Sequence, residues 1–264
     1  MQFYHHPLSL HSQKARLALE EKEIDYWPIN MNPLKCRNLE PDFFGQYPNA
    51  RLPILINGSR VIIGSLHVVQ YVDSFNRHLG GDKVNLPLAK EWMQNIDSWD
   101  PKLFTLSNIP EKYRQFFSRF KRQVVISRMA ENPDLASQYH EKLQSMHALE
   151  KDLKDEAVIN ENKNELVSLL NCAEDQLGST QYLAGDAFSM ADAMFLPLLG
   201  RIELLKLDTE LIKSRVKLDQ YWEKAKTRPS YQVVIGKYST NLGKFRVLGS
   251  SVLNMKLRTL FKRY

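Results

Sequence analysis

The residues best equipped for chemistry stand close to the start of the chain, in FYHHPLSLHSQKARLALEEKEIDY, Phe3 to Tyr26. Three histidines (His5, His6, His11) and two serines (Ser9, Ser12) fall between a short aromatic strand and a charged helix. Serine hydroxyls at such a junction can do chemistry or can simply cap and turn the chain. Ser12, just before the helical pattern of Ala15, Leu17, Ala18 and Leu19, is read as the N-cap. The histidines could act as bases or ligands, but His5 and His6 end a strand and should point to opposite faces, so a shared metal is not expected. His11, between the serines, could tune a nearby anion by its charge.

The other reactive side chains are few. The two cysteines, Cys36 and Cys172, cannot build a disulfide framework and fit a reducing compartment. There is no CxxC and no Cys/His cluster with zinc-ligand spacing, so no metal is expected. No apolar run approaches the length of a membrane span, and no apolar leader opens the chain, so a cytoplasmic, soluble or peripheral protein is expected.

The net charge of +6 over 264 residues is unevenly placed. From Lys224 to Tyr264 there are ten basic residues and no acidic one, whereas the rest carries 26 basic against 30 acidic, a net of −4. The basic character therefore belongs to the tail, and a nucleic-acid-binding surface is not implied.

The elements that must position the serines follow from the patterning. MQFYHH and IDYWPINM read as strands flanking the first helix, a βαβ unit. PILI and VIIG are split by Asn57-Gly58-Ser59-Arg60, a strong hairpin signal. SLHVVQYVDSFNRHL closes the segment as an amphipathic helix, its inner face expected from Leu66, Val69, Val72 and the adjoining Tyr71 and Phe75. The order βαβ-ββα is of thioredoxin type. A half-Rossmann unit is the alternative, and it lacks a glycine-rich first turn. NRHLGGDKVNLP has linker composition, and beyond it every patterned segment reads helical, including LAKEWMQNIDSWDPKLF as one helix. The expected fold is α+β: residues 1–77 thioredoxin-like, 78–88 a linker, 89–238 all-helical and 239–264 a basic amphipathic tail.

At this level of detail the chain resembles the cytosolic glutathione transferases over essentially its whole length. ARLPIL stands where the family has its cis-proline motif, and YLAGDAFSMADAMFLP is close to the signature of the helical domain. YHHPLSLHSQKARLALEEKEIDY, RMAENPDLASQYHEKL and RPSYQVVIGKY are similar to the plant class named for tetrachlorohydroquinone dehalogenase.

The resemblance implies a detoxifying, dimeric, cytoplasmic transferase that uses glutathione as co-substrate and a hydrophobic electrophile as partner, with reductive dehalogenation among its reactions. It implies a serine at the first helix N-terminus that hydrogen-bonds the glutathione sulfur and lowers the thiol pKa. Two registers compete: LALEEK matched to the classes with an early serine selects Ser9, and SQKAR matched to a theta-like pattern selects Ser12. Ser9 is preferred, because it follows the strand and turn directly and because Ser12 is already explained as a cap. Pro53 is the expected cis-proline, turning the Leu52 backbone toward the cysteinyl group. Ser65 is expected to hold the γ-glutamyl carboxylate at a helix start, and Asn38 the glycyl end. Gly64 departs from the family's acidic residue. A lost charge-assisted hydrogen bond is worth about 1.5–3 kcal/mol, so weaker glutathione binding is expected unless another carboxylate substitutes, and Gly64→Glu is expected to restore it.

Ser189 and Asp192 form an S-x-x-D capping box, read as structural. Cys36 is a poor catalytic cysteine. One or two of Trp99, Tyr113, Phe116, Phe117 and Phe120 are expected to line a substrate pocket. The competing reading is a non-catalytic ligand carrier or membrane-docking protein, the latter through the C-terminal tail.

Overall fold

The computed structural model describes residues 1–47, 50–240, 243 and 245–261. Its contacts divide the chain into two compact units. The first takes Met1–Asn30, Leu52–Pro101 and Glu161–Thr240, the second Met31–Arg51, Lys102–Asn160 and Asn241–Tyr264.

The first unit is built on a four-stranded sheet of order β2-β1-β3-β4. β1 (Gln2–His5) runs parallel to β2 (Trp27–Asn30), joined by helix α1 (Leu10–Glu21), as a βαβ unit requires. β3 (Ile54–Asn57) lies antiparallel to β1, with Tyr4 opposite Ile54. β4 (Arg60–Ile63) returns beside β3 through a two-residue turn, where Gly58 adopts a φ of 60°. A left-handed residue at the first turn position matches the strand twist, and glycine supplies it here in a Gly58-Ser59 turn closed by the Asn57–Arg60 pair.

Helix α3 (Ser65–Asp73) completes the thioredoxin-like half; its wholly buried face is Val68, Val69 and Val72, with Leu66, Tyr71 and Phe75 only partly covered. Phe3, Leu17, Ala18, Ile54 and Leu55 lie with them at zero exposure. Helix α9 (Met190–Leu204) is buried on nearly every side from Met190 to Gly200 and packs against α1. A helix that is apolar all round belongs at the centre of a core.

The expected single helix from Leu88 to Phe104 is two. α4 (Leu86–Ser98) stops before Trp99, and α5 (Pro101–Ser107) restarts at the proline. Proline disfavours helical geometry in the residue before it and fits a first helical position, so it breaks one helix and opens the next.

The second unit centres on two long helices, α6 (Glu111–Glu131) and α7 (Ala136–Asp152), and on the segment after β2, where α2 (Pro41–Gln46) lies. Phe44 stacks on Tyr139 at 4.3 Å, and the Tyr139 hydroxyl donates to the Leu39 carbonyl at 2.9 Å. Arg128 bridges to Glu40 at 2.9 Å. The C-terminal helix Ser250–Leu260 belongs to this unit. It buries Met255 and Ser251 completely, and Asn32 donates to the Ser251 hydroxyl at 3.0 Å. The expected tail, 239–264, includes Asn241, Leu242, Lys244, Lys262, Arg263 and Tyr264, which lie outside the described residues. No helix among the described residues is long and apolar enough to cross a membrane.

Candidate functional site

The site is built from four pieces of the first unit that converge on one end of its sheet. The turn after β1 leads into α1. Ser9, not Ser12, is the N-cap: its backbone is extended, and its hydroxyl oxygen accepts from the Ser12 N–H at 3.3 Å. Its carbonyl receives the first helical bond, from the Gln13 N–H at 2.9 Å. The expectation that Ser12 caps the helix is therefore corrected. Ser12 sits one turn inside, 1% exposed, with its hydroxyl accepting from the His6 N–H at 3.3 Å. Ser9 is half-buried, less enclosed than Ser12.

The turn is held by side chains from inside the fold. Gln13 donates to the Pro7 carbonyl at 2.8 Å, and Arg201 of α9 donates to the Leu8 carbonyl at 2.6 Å. Burial pushes the Arg201 pKa down to about 10. The first turn of α1 contains no acidic residue, so no carboxylate of its own offsets the partial positive charge of its N-terminus.

The second piece is the Leu52-Pro53 peptide, which is cis. The strand register, one step beyond Tyr4 and Ile54, sets Pro53 beside the end of β1. The Pro53 carbonyl accepts from the Gly64 N–H at 3.0 Å, which joins it to the third piece. Gly64 caps α3 with φ 94° and ψ 151°, a conformation reserved almost entirely for glycine. The glycine that replaces the family's acid is thus also what this backbone requires.

Ser65 opens α3, and its hydroxyl lies 3.0 Å from His11 Nδ1 and 3.3 Å from Asp97 Oδ1. The serine is 3% exposed. His11 links the start of α1 to the start of α3, and Asp97 enters from α4 as the fourth piece. Beside it, fully buried Lys14 donates to the Ile96 carbonyl at 3.2 Å. Burial pulls the Lys14 pKa down to about 8, partly opposed by Asp97.

His5 behaves as a core residue. It stacks on Phe3 at 5.1 Å, and burial, with Arg16 and His6 adding to it, holds its pKa down at about 4. A neutral imidazole enclosed in this way is no general base at neutral pH.

Sequence similarity points the same way as this geometry. Residues 3–77 match the family model for the glutathione S-transferase N-terminal domain, and residues 156–223 match that for the C-terminal domain. The chain is 43% identical to glutathione S-transferase TCHQD of Arabidopsis thaliana, with both proteins covered in full. The chain belongs to the glutathione transferase family.

It is also 27% identical to the tetrachloro-p-hydroquinone reductive dehalogenase of Sphingobium chlorophenolicum, covering 87% of this chain and 93% of that one. Among solved structures, Gtt2 of Saccharomyces cerevisiae superposes with a TM-score of 0.61 at 16% identity, covering 89% of this chain and all of the other. Glutathione transferase F7 of Populus trichocarpa gives 0.60 at 20% identity, covering 88% and 96%. Both share the transferase fold: a thioredoxin-like sheet followed by helices.

Of the residues singled out in the sequence, Ser9, Ser12, Leu52, Pro53, Gly64 and Ser65 belong to the first unit. Asn38 belongs to the second, where it is buried and its amide donates to the Ala50 carbonyl at 2.8 Å. Cys36 is buried in the same core, and burial pushes its thiol pKa up, the reverse of an activated cysteine. Phe120 is core and Tyr113 is exposed, while Phe116 and Phe117 pack partly against that core. Trp99, in the first unit, is 3% exposed and donates to the Asn162 carbonyl at 3.0 Å.

Sequence reading missed Asp97, Lys14 and Arg201. Asp97 stands next to Ile96 in QNIDSW, an acid adjoining a buried position, and that adjacency was the available signal. Lys14 and Arg201 read as ordinary helix charges.

Proposed function

We propose that the protein is a serine-type glutathione transferase, in which the Ser9 hydroxyl donates a hydrogen bond to the glutathione thiolate. The observation that carries this reading is the N-terminus of α1. It has a half-buried serine cap and no acid in its first turn, and it lies at the same sheet end as cis-Pro53 and Ser65. Serine is too weak a base to remove the thiol proton. It holds the anion, together with the helix N–H groups and dipole, so that thiolate forms near neutral pH.

The rest of glutathione is assigned by chemistry. Leu52 beside cis-Pro53 offers backbone pairing to the cysteinyl group. Ser65 receives the γ-glutamyl carboxylate at the start of α3. Asp97, 3.3 Å from Ser65, supplies to the α-amino group the carboxylate that Gly64 lacks. Asn38 is not assigned to the glycyl end: it is buried in the second unit, and its amide donates to the Ala50 carbonyl. Residues 1–77 then form the glutathione-binding domain, 78–88 the linker and 89–238 the domain that takes the hydrophobic electrophile, in a cytoplasmic homodimer.

The thiolate attacks an electrophilic carbon, the carbon–halogen bond breaks, and halide leaves with the electron pair. For a halogenated hydroquinone, a second glutathione thiolate can attack the thioether sulfur. The carbon then takes a proton and glutathione disulfide forms, which is reductive dehalogenation. The name of the Sphingobium relative favours this second reaction.

Ser9→Ala is expected to raise the pKa of bound glutathione and to cut turnover of a generic aryl halide about a hundredfold. Ser12→Ala is expected to keep most of the activity. The opposite pattern assigns the thiolate to Ser12. If calorimetry detects no glutathione binding to the wild-type protein, the non-catalytic carrier is the correct reading instead.

A further inference from the structure

The C-terminal helix Ser250–Leu260 is held on the second unit by one face. Ser251 and Met255, one turn apart, are fully buried. Arg258 closes the same side, donating to the Lys35 carbonyl at 3.2 Å and covering the Phe120 ring at 5.5 Å. The opposite face carries Leu253, Leu257, Leu260 and, just past the helix end, Phe261, which are 59%, 45%, 74% and 65% exposed. At 100° per residue these four span a sector about 100° wide, centred about 155° from Ser251 and Met255. Scattered exposed leucines are ordinary, but four large apolar side chains in line on a helix that is already docked form a continuous ridge.

We propose that this ridge inserts into the headgroup layer of an anionic membrane, making the protein a peripheral membrane protein. Charge selects this occupant. From Asn241 to Tyr264, the stretch that belongs to this unit, the sequence has six basic residues and no acidic one, and Lys256 is exposed on the flank of the ridge. A convex row of leucines and a phenylalanine, bordered by lysine and embedded in an acid-free segment, suits a helix lying in the membrane plane with its apolar side down. Docking through Met255 and Ser251 presents the row already folded, so binding need not order the helix. The proposal is independent of the glutathione chemistry.

Cutting the chain near Tyr238 would remove Met255 from a core as well as the ridge, so surface substitutions make the cleaner test. The full-length protein is sedimented with vesicles of phosphatidylcholine alone and of phosphatidylcholine containing 30% phosphatidylserine. Wild type is expected to bind the anionic vesicles at least about tenfold more tightly than the neutral ones, and to be released as salt rises. Leu257→Glu with Leu260→Glu is expected to weaken that binding at least about tenfold while leaving glutathione conjugation unchanged. Equal capture by both vesicle types, or equal capture of wild type and double variant, overturns the proposal. So does a wild type that ignores vesicles but is a larger species than the double variant in analytical ultracentrifugation, which makes the ridge a contact between two copies.

Discussion

Helices α1 and α9 both begin with a serine N-cap, Ser9 and Ser189, followed three residues later by Ser12 and by Asp192. At α9 the capping is complete. One Asp192 oxygen accepts from the Ser189 N–H at 2.8 Å and from the Ser189 hydroxyl at 2.7 Å. The other accepts from the Leu183 N–H at 3.1 Å and the Tyr221 hydroxyl at 2.8 Å. Ser189 and Asp192 are at most 1% exposed. At α1 the third position is a serine, which brings no charge, and the capping residue is only half-buried. A helix N-terminus attracts an anion. α9 satisfies that demand with its own carboxylate, whereas α1 leaves it for an incoming thiolate. The same residue type is structural in one place and reactive in the other because of what stands three positions on.

The largest effect is expected at α9. Asp192→Ala strips four donors of their acceptor inside a closed core. The expected loss is about 3–5 kcal/mol of folding stability, read as a lower urea midpoint for the full-length protein. A loss below about 1 kcal/mol would mean that the box contributes no more than an exposed cap.

The next largest is expected at α1. Ser12→Asp writes the α9 pattern into α1, giving Ser9 an internal anionic partner. Bound glutathione then meets a carboxylate where it needs donors. Its thiol pKa is expected to rise, and conjugation to fall about a hundredfold, or about 2.7 kcal/mol. Ultraviolet titration of the bound thiolate measures the first effect and initial rates the second. Unaltered titration would show that the absence of an acid at this position is not what keeps α1 receptive.

Much of this was legible in the sequence where the determinants are local. Asn57-Gly58 marks its hairpin, Ser189-x-x-Asp192 its capping box, and ARLPIL its cis-proline through the family resemblance. Ser9 and Ser12 were harder to separate. Two serines three residues apart both satisfy a cap pattern, and the choice depends on where the helical hydrogen bonds begin. That point is set partly by Arg201, which fixes the Leu8 carbonyl from 193 residues away. Asp97 was hidden for the same reason, since Ser65 reaches it across 32 residues. The two units were not legible either. Residues 31–51 fall within the 1–77 segment expected to be thioredoxin-like, yet Phe44 and Leu39 find their partner in Tyr139, about a hundred positions on. Apolar residues announce that they will be buried, but they do not say against what.

A third helix start completes the series. α3 has no side-chain cap. Its first backbone position, Gly64, holds φ 94° and ψ 151°, and its neighbour Ser65 reaches outward to Asp97 for a carboxylate. A side chain added at Gly64 meets only His67 Nδ1, at 3.7 Å, so space is not the obstacle. The obstacle is the backbone, which favours glycine by about 2 kcal/mol. Gly64→Glu would place a carboxylate near the expected α-amino site, but only by straining or moving the turn that also holds the Pro53 carbonyl. With Asp97 already present, the added acid has little left to supply. The expectation of tighter binding, formed from the family pattern alone, therefore gives way to a different one. Gly64→Glu should lower stability by about 2 kcal/mol without improving glutathione affinity, whereas Asp97→Asn should weaken affinity at nearly unchanged stability. Calorimetry and urea melts on the two variants separate these effects, and tighter binding by Gly64→Glu would show that Asp97 does not fill the missing role.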